Sequence, residues 1–481
     1  MLDIGKTNLK QLLQDSDCSI QLIFEFFCKY RQKISDRFGG ILFGKDHSTV
    51  FKIFGKILNN LSEVFVSKWL EASAFNREEI IQHNTSELFQ QVFPNVRGGI
   101  DGTYFYVEKS EDFNNQRKTF NSHKKRNLIK EMDIILPNSK IFDFVGPFFS
   151  DENHNDEWMW IYIVDNNCGD ITDVFDVNID EFLADRGFLR VKQTDDTFTL
   201  QTPVGLAPKT KQLKTEDANQ SRLVTRFRNI VERAFGRLKA RWKIIGDIIS
   251  SGLWPKLHKL VRLLAAIENA YFPPIWTDSE LDKSDAEMIN LKISMETNEL
   301  QAVHESTEKK SWQKIDYNSL KGEVPALSLE DVRKWSVGPY ALTLAKPYLK
   351  HCTDLKYWKH KKLENVYRVK GMVSRFVTSD KKSAKKYCVT VKIPKDGNIK
   401  QLITYCTCKS GARTLGGCAH SCTILYHLTA KDDNSQLEPV NSSKKRVLAS
   451  GAIDLKSFKT QKMEKLKMTE ENLQEDDDDT E

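Results

Sequence analysis

The chain has 481 residues, 40% of them apolar and 29% charged. That is length for about three domains and enough apolar content to build cores rather than remain disordered. No run of about 18 apolar residues occurs, which excludes a membrane-spanning helix, and Met1-Leu2-Asp3-Ile4-Gly5-Lys6 lacks the basic-then-apolar pattern of a secretory signal, so an intracellular protein is expected.

The net charge of +6 is a sum of opposites. Residues 205–262 carry 14 Lys/Arg against 4 Asp/Glu, and residues 333–428 carry 20 against 4. Residues 277–332 carry 6 against 13, and residues 471–481 carry 7 acids and no base. Two basic blocks of this size point to a polyanionic partner, most simply nucleic acid. Five of the nine cysteines fall between Cys388 and Cys422, and in a reducing interior such a cluster beside a histidine indicates metal rather than disulfides.

In chain order, residues 8–72 read as helical. The stretch breaks at Gly39, Gly40 and Gly44 and restarts with Asp46 or Ser48 as N-cap. A helix, a glycine turn and a second helix carrying Ser48 and Lys52 is the layout of a helix-turn-helix, though two ordinary packed helices read the same way. This leader is assigned to residues 1–75. From about residue 93 the pattern changes. Gly99 to Val107 reads as an aromatic-rich strand, and Leu128–Leu136 and Ile141–Phe149 flank Pro137-Asn138-Ser139-Lys140 as a hairpin. A mixed stretch with Trp158, Met159 and Trp160 leads to Phe182-Leu183-Ala184-Asp185, a short strand ending in an acid. Residues 219–245 form an amphipathic helix with Leu223, Phe227, Ile230, Val231, Ala234 and Leu238 at helical spacing, and Thr225, Arg228, Asn229, Glu232, Gly236 and Lys239 on another face. The whole of 93–270 is an α/β layout. Residues 277–325 are acidic, lack clear periodicity and read as a linker with one helix at most. A second ordered region spans 332–430, and the polar, finally acidic tail 431–481 reads as disordered. Within it, Lys444-Lys445-Arg446 is a short nuclear-import-like patch.

Three acids suit a metal site. Asp101 lies in a strand and is followed by Gly102, Asp185 ends a later strand, and Glu232 lies on the basic face of the long helix; Asp156 is a fourth candidate. Carboxylates are the ligands Mg²⁺ prefers, and phosphoryl transfer can use two such ions about 3.5–4 Å apart. Arg233, Arg237, Lys239 and Arg241 flank the third acid and are candidates for DNA phosphates. By spacing alone the triad is weak, since 66 acids allow many triples.

The blocks Ile100-Asp101-Gly102-Thr103, Phe182-Leu183-Ala184-Asp185-Arg186-Gly187-Phe188 and Asn229-Ile230-Val231-Glu232-Arg233-Ala234-Phe235-Gly236-Arg237-Leu238-Lys239 occur in that order. They resemble the signature blocks of the DDE nuclease domain of PIF/Harbinger-type transposases, over roughly residues 30–260. Gly146-Pro147-Phe148-Phe149 followed by His154-Asn155-Asp156 resembles a further motif, though it is less glycine-rich than the family pattern. The resemblance implies a ribonuclease-H-like fold that cuts and joins double-stranded DNA with Mg²⁺ or Mn²⁺. Asp101, Asp185 and Glu232 would be its catalytic and metal-binding triad, and Asp156 an additional metal contact. It also implies a nuclear protein, a homo-oligomer on DNA and, because the leader is short, a separate DNA-binding accessory protein. The rival is a domesticated, catalytically silent DNA-binding or scaffold protein.

Cys406-Thr407-Cys408, nine residues, then Cys418-Ala419-His420 offer three thiolates and an imidazole, the donor set of a structural Zn²⁺ site. Gly411, Gly416 and Gly417 permit the return of the loop, and Ile424, Leu425 and Leu428 indicate a helix packed on the site. Cys422 and His427 are rival ligands placed more naturally in that helix. The spacing resembles the SWIM zinc finger, with Tyr387–Ile393 and Leu402–Tyr405 as its strands, a module that binds DNA or protein.

Overall fold

The computed structural model describes residues 18–188, 191, 197–275, 280–306, 311–352, 354–373 and 386–430. The tail 431–481, with Lys444-Lys445-Arg446, and the first residues of the expected leader lie outside them.

Three helices come first, α1 (Ile20–Gln32), α2 (Asp36–Phe43) and α3 (His47–Val64). Ser19, Ser35 and Asp46 cap them, their side chains accepting from the amides of Leu22, Phe38 and Ser48. Gly44, in the left-handed region at φ 64°, ends α2, so helix, short turn and helix follow as the glycines suggest. Val50, Phe54, Ile57, Leu58 and Leu61 of α3 are buried, and α3 packs on a later helix, α7 below. Ser48 and Lys52 remain exposed.

The first sheet is mixed. β1 (Val96–Tyr106) lies between β3 (Arg126–Ile135), antiparallel to it, and β5 (Glu181–Leu183), parallel to it. β4 (Ile141–Phe148) pairs antiparallel with β3, and β6 (Thr199–Gln201) runs parallel to β5. A helix, α4 (Phe113–Thr119), leads into the two-residue β2 (Phe120–Asn121), which folds back on the start of β3. On the β1–β3 ladder Gly99 stands opposite Ile135 and Asp101 opposite Asp133. α5 (Asp156–Asp165) follows β4, with Asn155 accepting from the Trp158 amide as its cap.

The long helix α6 (Thr215–Arg241) buries the stripe Leu223, Phe227, Ile230, Val231, Ala234 and Leu238, and it crosses β1 at Gly99. A Cβ on Gly99 would lie 2.6 Å from Val231 Cγ2, so only glycine permits the approach. α7 (Leu257–Tyr271) covers β4.

The segment 277–325 carries more structure than a linker. It forms α8 (Glu280–Ile293), α9 (Glu299–Glu305), β7 (Trp312–Ile315) and a helix over Tyr317–Glu323. Met288, Ile289, Leu300 and Leu320 are buried. β7 is the edge of a second, antiparallel sheet whose order is β11 (Ile403–Cys406), β10 (Lys386–Lys392), β9 (Val366–Val373), β8 (Lys356–His360), β7. α10 (Ala419–Thr429) packs on it. The expected domain boundaries do not separate packing units: one apolar core joins Phe54 and Leu61 of the leader, Phe227 of α6, Ile289 of α8, Val337 and Leu415. Among the described residues no helix is long and apolar enough to cross a membrane.

Candidate functional site

Four carboxylates gather around the middle of β1. Asp101 is on β1, Asp185 lies just past β5, Glu232 is on α6 and Asp156 is the first residue of α5. Asp101 is raised to about 6, first by burial and then by the charges of Asp185, Asp156 and Glu232, with Arg228 opposing. Among the described residues, Arg228 and Lys130 are the cations paired with these carboxylates, so negative charge is in excess there.

Each acid is held by a local device. Arg228 Nη1 lies 3.4 Å from Asp101 Oδ2 and its Nη2 2.6 Å from Glu232 Oε1, one helical turn on. Lys130 Nζ lies 2.7 Å from Asp156 Oδ1 and donates to the His154 carbonyl at 2.9 Å. Asp185 Oδ1 accepts from the Gly187 amide at 2.6 Å. Asp156 rests directly over Gly102, where any side chain would collide with its carboxylate. Lys130 and Asp133 are not singled out by sequence, and Arg228 is placed there only on the face of Glu232, without a site role. Its pairing could have been read from its position four residues before Glu232. Asp133 is buried opposite Asp101, and burial followed by the Asp101 charge pushes its carboxyl well above the ordinary carboxylate range.

Carboxylate oxygens are the donors that hard divalent cations take, and the excess of negative charge over Arg228 and Lys130 is what such cations offset. The donor set therefore fits.

The four expected DNA-binding cations are used differently. Arg237 Nε and Arg241 Nη1 each lie 2.5 Å from Oε1 of the buried Glu268. Arg241 also stacks on Phe272, 3.3 Å from the ring centre. Lys239 donates to the Tyr104 carbonyl at 3.0 Å. These three tie α6 to its neighbours; Arg233 is the exposed one.

The second cluster is Cys406, Cys408, Cys418 and His420, all buried, with their donor atoms within 4.8 Å of one another. Among the described residues no other set of three or more metal-ligand side chains is gathered this closely. Cys406 Sγ and Cys418 Sγ lie 3.8 and 3.7 Å from His420 Nδ1. A tetrahedron with Zn–S of about 2.3 Å and Zn–N of about 2.0–2.1 Å has edges of about 3.6 Å, so the spacing fits zinc. Cys422 and His427 stand outside the set: Cys422 is buried in α10, and His427 Nε2 is 2.8 Å from the Tyr357 hydroxyl.

The Cys₃His loop grips the start of α6. Gln212 Nε2 donates to the carbonyls of Cys406 and Cys408, both at 2.7 Å. The Leu213 amide donates to the Lys409 carbonyl at 2.9 Å. Asn219 Oδ1 accepts from the amides of Thr414 and Leu415 at 2.9 and 3.0 Å.

Residues 100–269 match the family model described as DDE superfamily endonuclease. No curated protein and no solved structure matches the chain. The matched span holds all four acids, and it supports a nuclease acting on DNA, a class that uses divalent metals. The α/β architecture is consistent with such a domain.

Proposed function

We propose that the chain is a metal-dependent DNA endonuclease of the PIF/Harbinger transposase type, or a host protein derived from one. In this reading Asp101, Asp185 and Glu232 hold two Mg²⁺ or Mn²⁺ ions, with Asp156 as a further contact, on a ribonuclease-H-like fold. The observation that carries it is the gathering of four carboxylates, paired among the described residues with Arg228 and Lys130, inside the span that matches the endonuclease family. When bound, such an ion pair activates water for strand cleavage, and a freed 3′-hydroxyl for strand transfer, while stabilising the leaving oxygen.

The chain's own part is positioning. Asp101 is fixed by the β1–β3 ladder. Glu232 is fixed by the close seating of α6 on Gly99. The Gly187 amide orients Asp185, and Lys130 orients Asp156. Arg228 can release both its carboxylates to a cation and turn to a phosphate oxygen.

The Cys₃His set acts as a SWIM-type Zn²⁺ module, and the substrate is double-stranded DNA in the nucleus, engaged as a homo-oligomer with an accessory DNA-binding protein. A second reading, a silent descendant that binds DNA or scaffolds, is favoured by the Arg228 bridge across Asp101 and Glu232, which satisfies two acids without metal.

Cleavage of duplex DNA by wild type and Asp185→Asn in Mg²⁺ or Mn²⁺ decides between them. A loss of at least about 100-fold is expected, on the scale of removing a group that stabilises transition-state charge. Equal activity overturns the assignment, and metal-independent DNA binding with no nicking supports the silent reading.

A further inference from the structure

With three of the four helix cations tied into the fold, DNA phosphates need another surface. Residues 113–130 contain Arg117, Lys118, Lys124, Lys125, Arg126 and Lys130 and no acid. Except for Lys130 these cations are exposed, on α4 and the β2–β3 hairpin. Lys118, Lys124 and Arg126 are held over aromatic rings. Lys118 Nζ lies 5.1 Å from the Phe149 ring centre, Lys124 Nζ 4.8 Å from Tyr104 and Arg126 Cζ 5.2 Å from Tyr106. Tyr104 and Tyr106 are the second and fourth residues after Gly102 on β1, on the same strand face, so the two cations stand along the strand in a step of about 7 Å toward Asp156 over Gly102. Ring contact fixes the stems while the charge stays in water.

Beside α4 and the start of the hairpin lies a cleft of about 840 Å³, lined by Arg117, Lys118, Phe120, His123, Lys130 and His154, with Asp151 and Glu152 also on its wall. Lys130, bonded to Asp156, is the wall it shares with the carboxylate cluster. Phe120 is 46% exposed beside it, and Phe149, 36% exposed, carries Lys118 over its ring and His154 edge-on to it, so Phe120 is the more open ring. In a duplex the base faces are stacked on one another, whereas an unpaired strand offers its bases to protein aromatics while its phosphates follow cations.

We propose that α4, the β2–β3 hairpin and the adjoining cleft hold an unpaired stretch of the DNA strand beside the scissile phosphate. Its phosphates lie on Arg117, Lys118 and Lys124 to Arg126, and its bases stack on Phe120 and Phe149. This rests on the DNA-nuclease reading above.

The test uses the full chain carrying Asp185→Asn, so that DNA is not consumed, and fluorescence anisotropy with a 12-nucleotide single strand and a 12-base-pair duplex. Charge reversal at Lys124, Lys125 and Arg126 (K124E/K125E/R126E) is expected to weaken single-strand binding at least about tenfold and flatten its salt dependence. Phe120→Ser with Phe149→Ser is expected to weaken single-strand binding at least about tenfold and leave duplex binding within about twofold. Because all five positions are solvent-facing, unchanged thermal melts show that the variants fold. Unchanged single-strand affinity in both variants overturns the proposal, and so does an equal loss for duplex and single strand in the phenylalanine pair. Wild-type chain that cleaves DNA while K124E/K125E/R126E binds and cleaves normally sinks the strand track alone. Wild-type chain that neither binds nor cleaves DNA sinks the nuclease reading itself.

Discussion

Gly102 owes its place to Asp156. Any Cβ there collides with the Asp156 carboxylate, but what it meets is the far end of a short side chain rather than backbone. Gly102→Ala is therefore expected to leave the fold standing and swing Asp156 out of the cluster. Thermal unfolding should shift by no more than a few degrees, while metal-dependent cleavage falls at least about tenfold, matching Asp156→Asn. If both variants cleave like wild type, Asp156 lies outside the machinery. At this scale the sequence was legible wherever the signal is local. The strand around Asp101-Gly102, the helix carrying Glu232 and the two cysteine pairs follow from local pattern, while the choice of these acids among 66 came from the resemblance of their flanking blocks. Asp133 was not legible, because its role comes from β-register, which sets it opposite Asp101 from 32 positions away. The pairing of Arg237 and Arg241 with Glu268 was equally invisible, since the acid that takes them sits on the next long helix.

Among the elements, α6 matters most, because it carries Glu232 and is held at its start by the zinc-type loop. Gln212 serves two carbonyls of the Cys406–Cys408 turn, and Asn219 serves two amides of the 414–415 segment. Gly411 closes the turn, its backbone amide donating to the Cys408 carbonyl and its carbonyl accepting from the Cys406 amide. In sites of this kind metal binding is folding energy, so on the proposed Zn²⁺ reading the loop holds α6 only while its ligands are gathered. Cys406→Ser should release about one Zn²⁺ per chain and speed amide exchange over residues 215–222. Gln212→Ala should keep the metal yet speed the same exchange, at a cost of about 1–3 kcal/mol for the carbonyls left without a partner. Retained zinc in Cys406→Ser removes the ligand assignment, and unchanged exchange in Gln212→Ala removes the grip. The helix itself was legible from its apolar stripe. Its clamp was not, since Gln212 and Cys406 are 194 residues apart. The segment 277–325 hid its helices because each buries only a narrow strip, such as Met288 and Ile289, beneath a polar majority.

For the whole molecule, the shared core changes what acid should do. His427, on α10, is packed flat on Tyr317 with ring centres 4.5 Å apart, and its Nε2 meets the Tyr357 hydroxyl at 2.8 Å. Burial, and then the charge of Lys321, lower it from 6.5 to about 4. The unfolded chain therefore binds a proton at a pH where the folded one does not. The neutral ring stabilises the fold fully above about pH 6.5, and that contribution drains away as pH falls through about 4. Because Leu415 and Val337 of the C-terminal half share one core with α6 and the leader, loosening at α10 should not stay local. Thermal melts of the whole chain from pH 7 to pH 4.5 are expected to fall as one transition, seen alike by tryptophan fluorescence and by far-ultraviolet dichroism. His427→Phe keeps the stack without a titrating nitrogen, so the gap between its melting temperature and that of wild type should close or invert as pH drops. A parallel pH profile for the two proteins would show that His427 contributes nothing to the acid response. Two separated transitions would show that the halves unfold independently despite their common core, restoring the separate modules that length and charge blocks suggest.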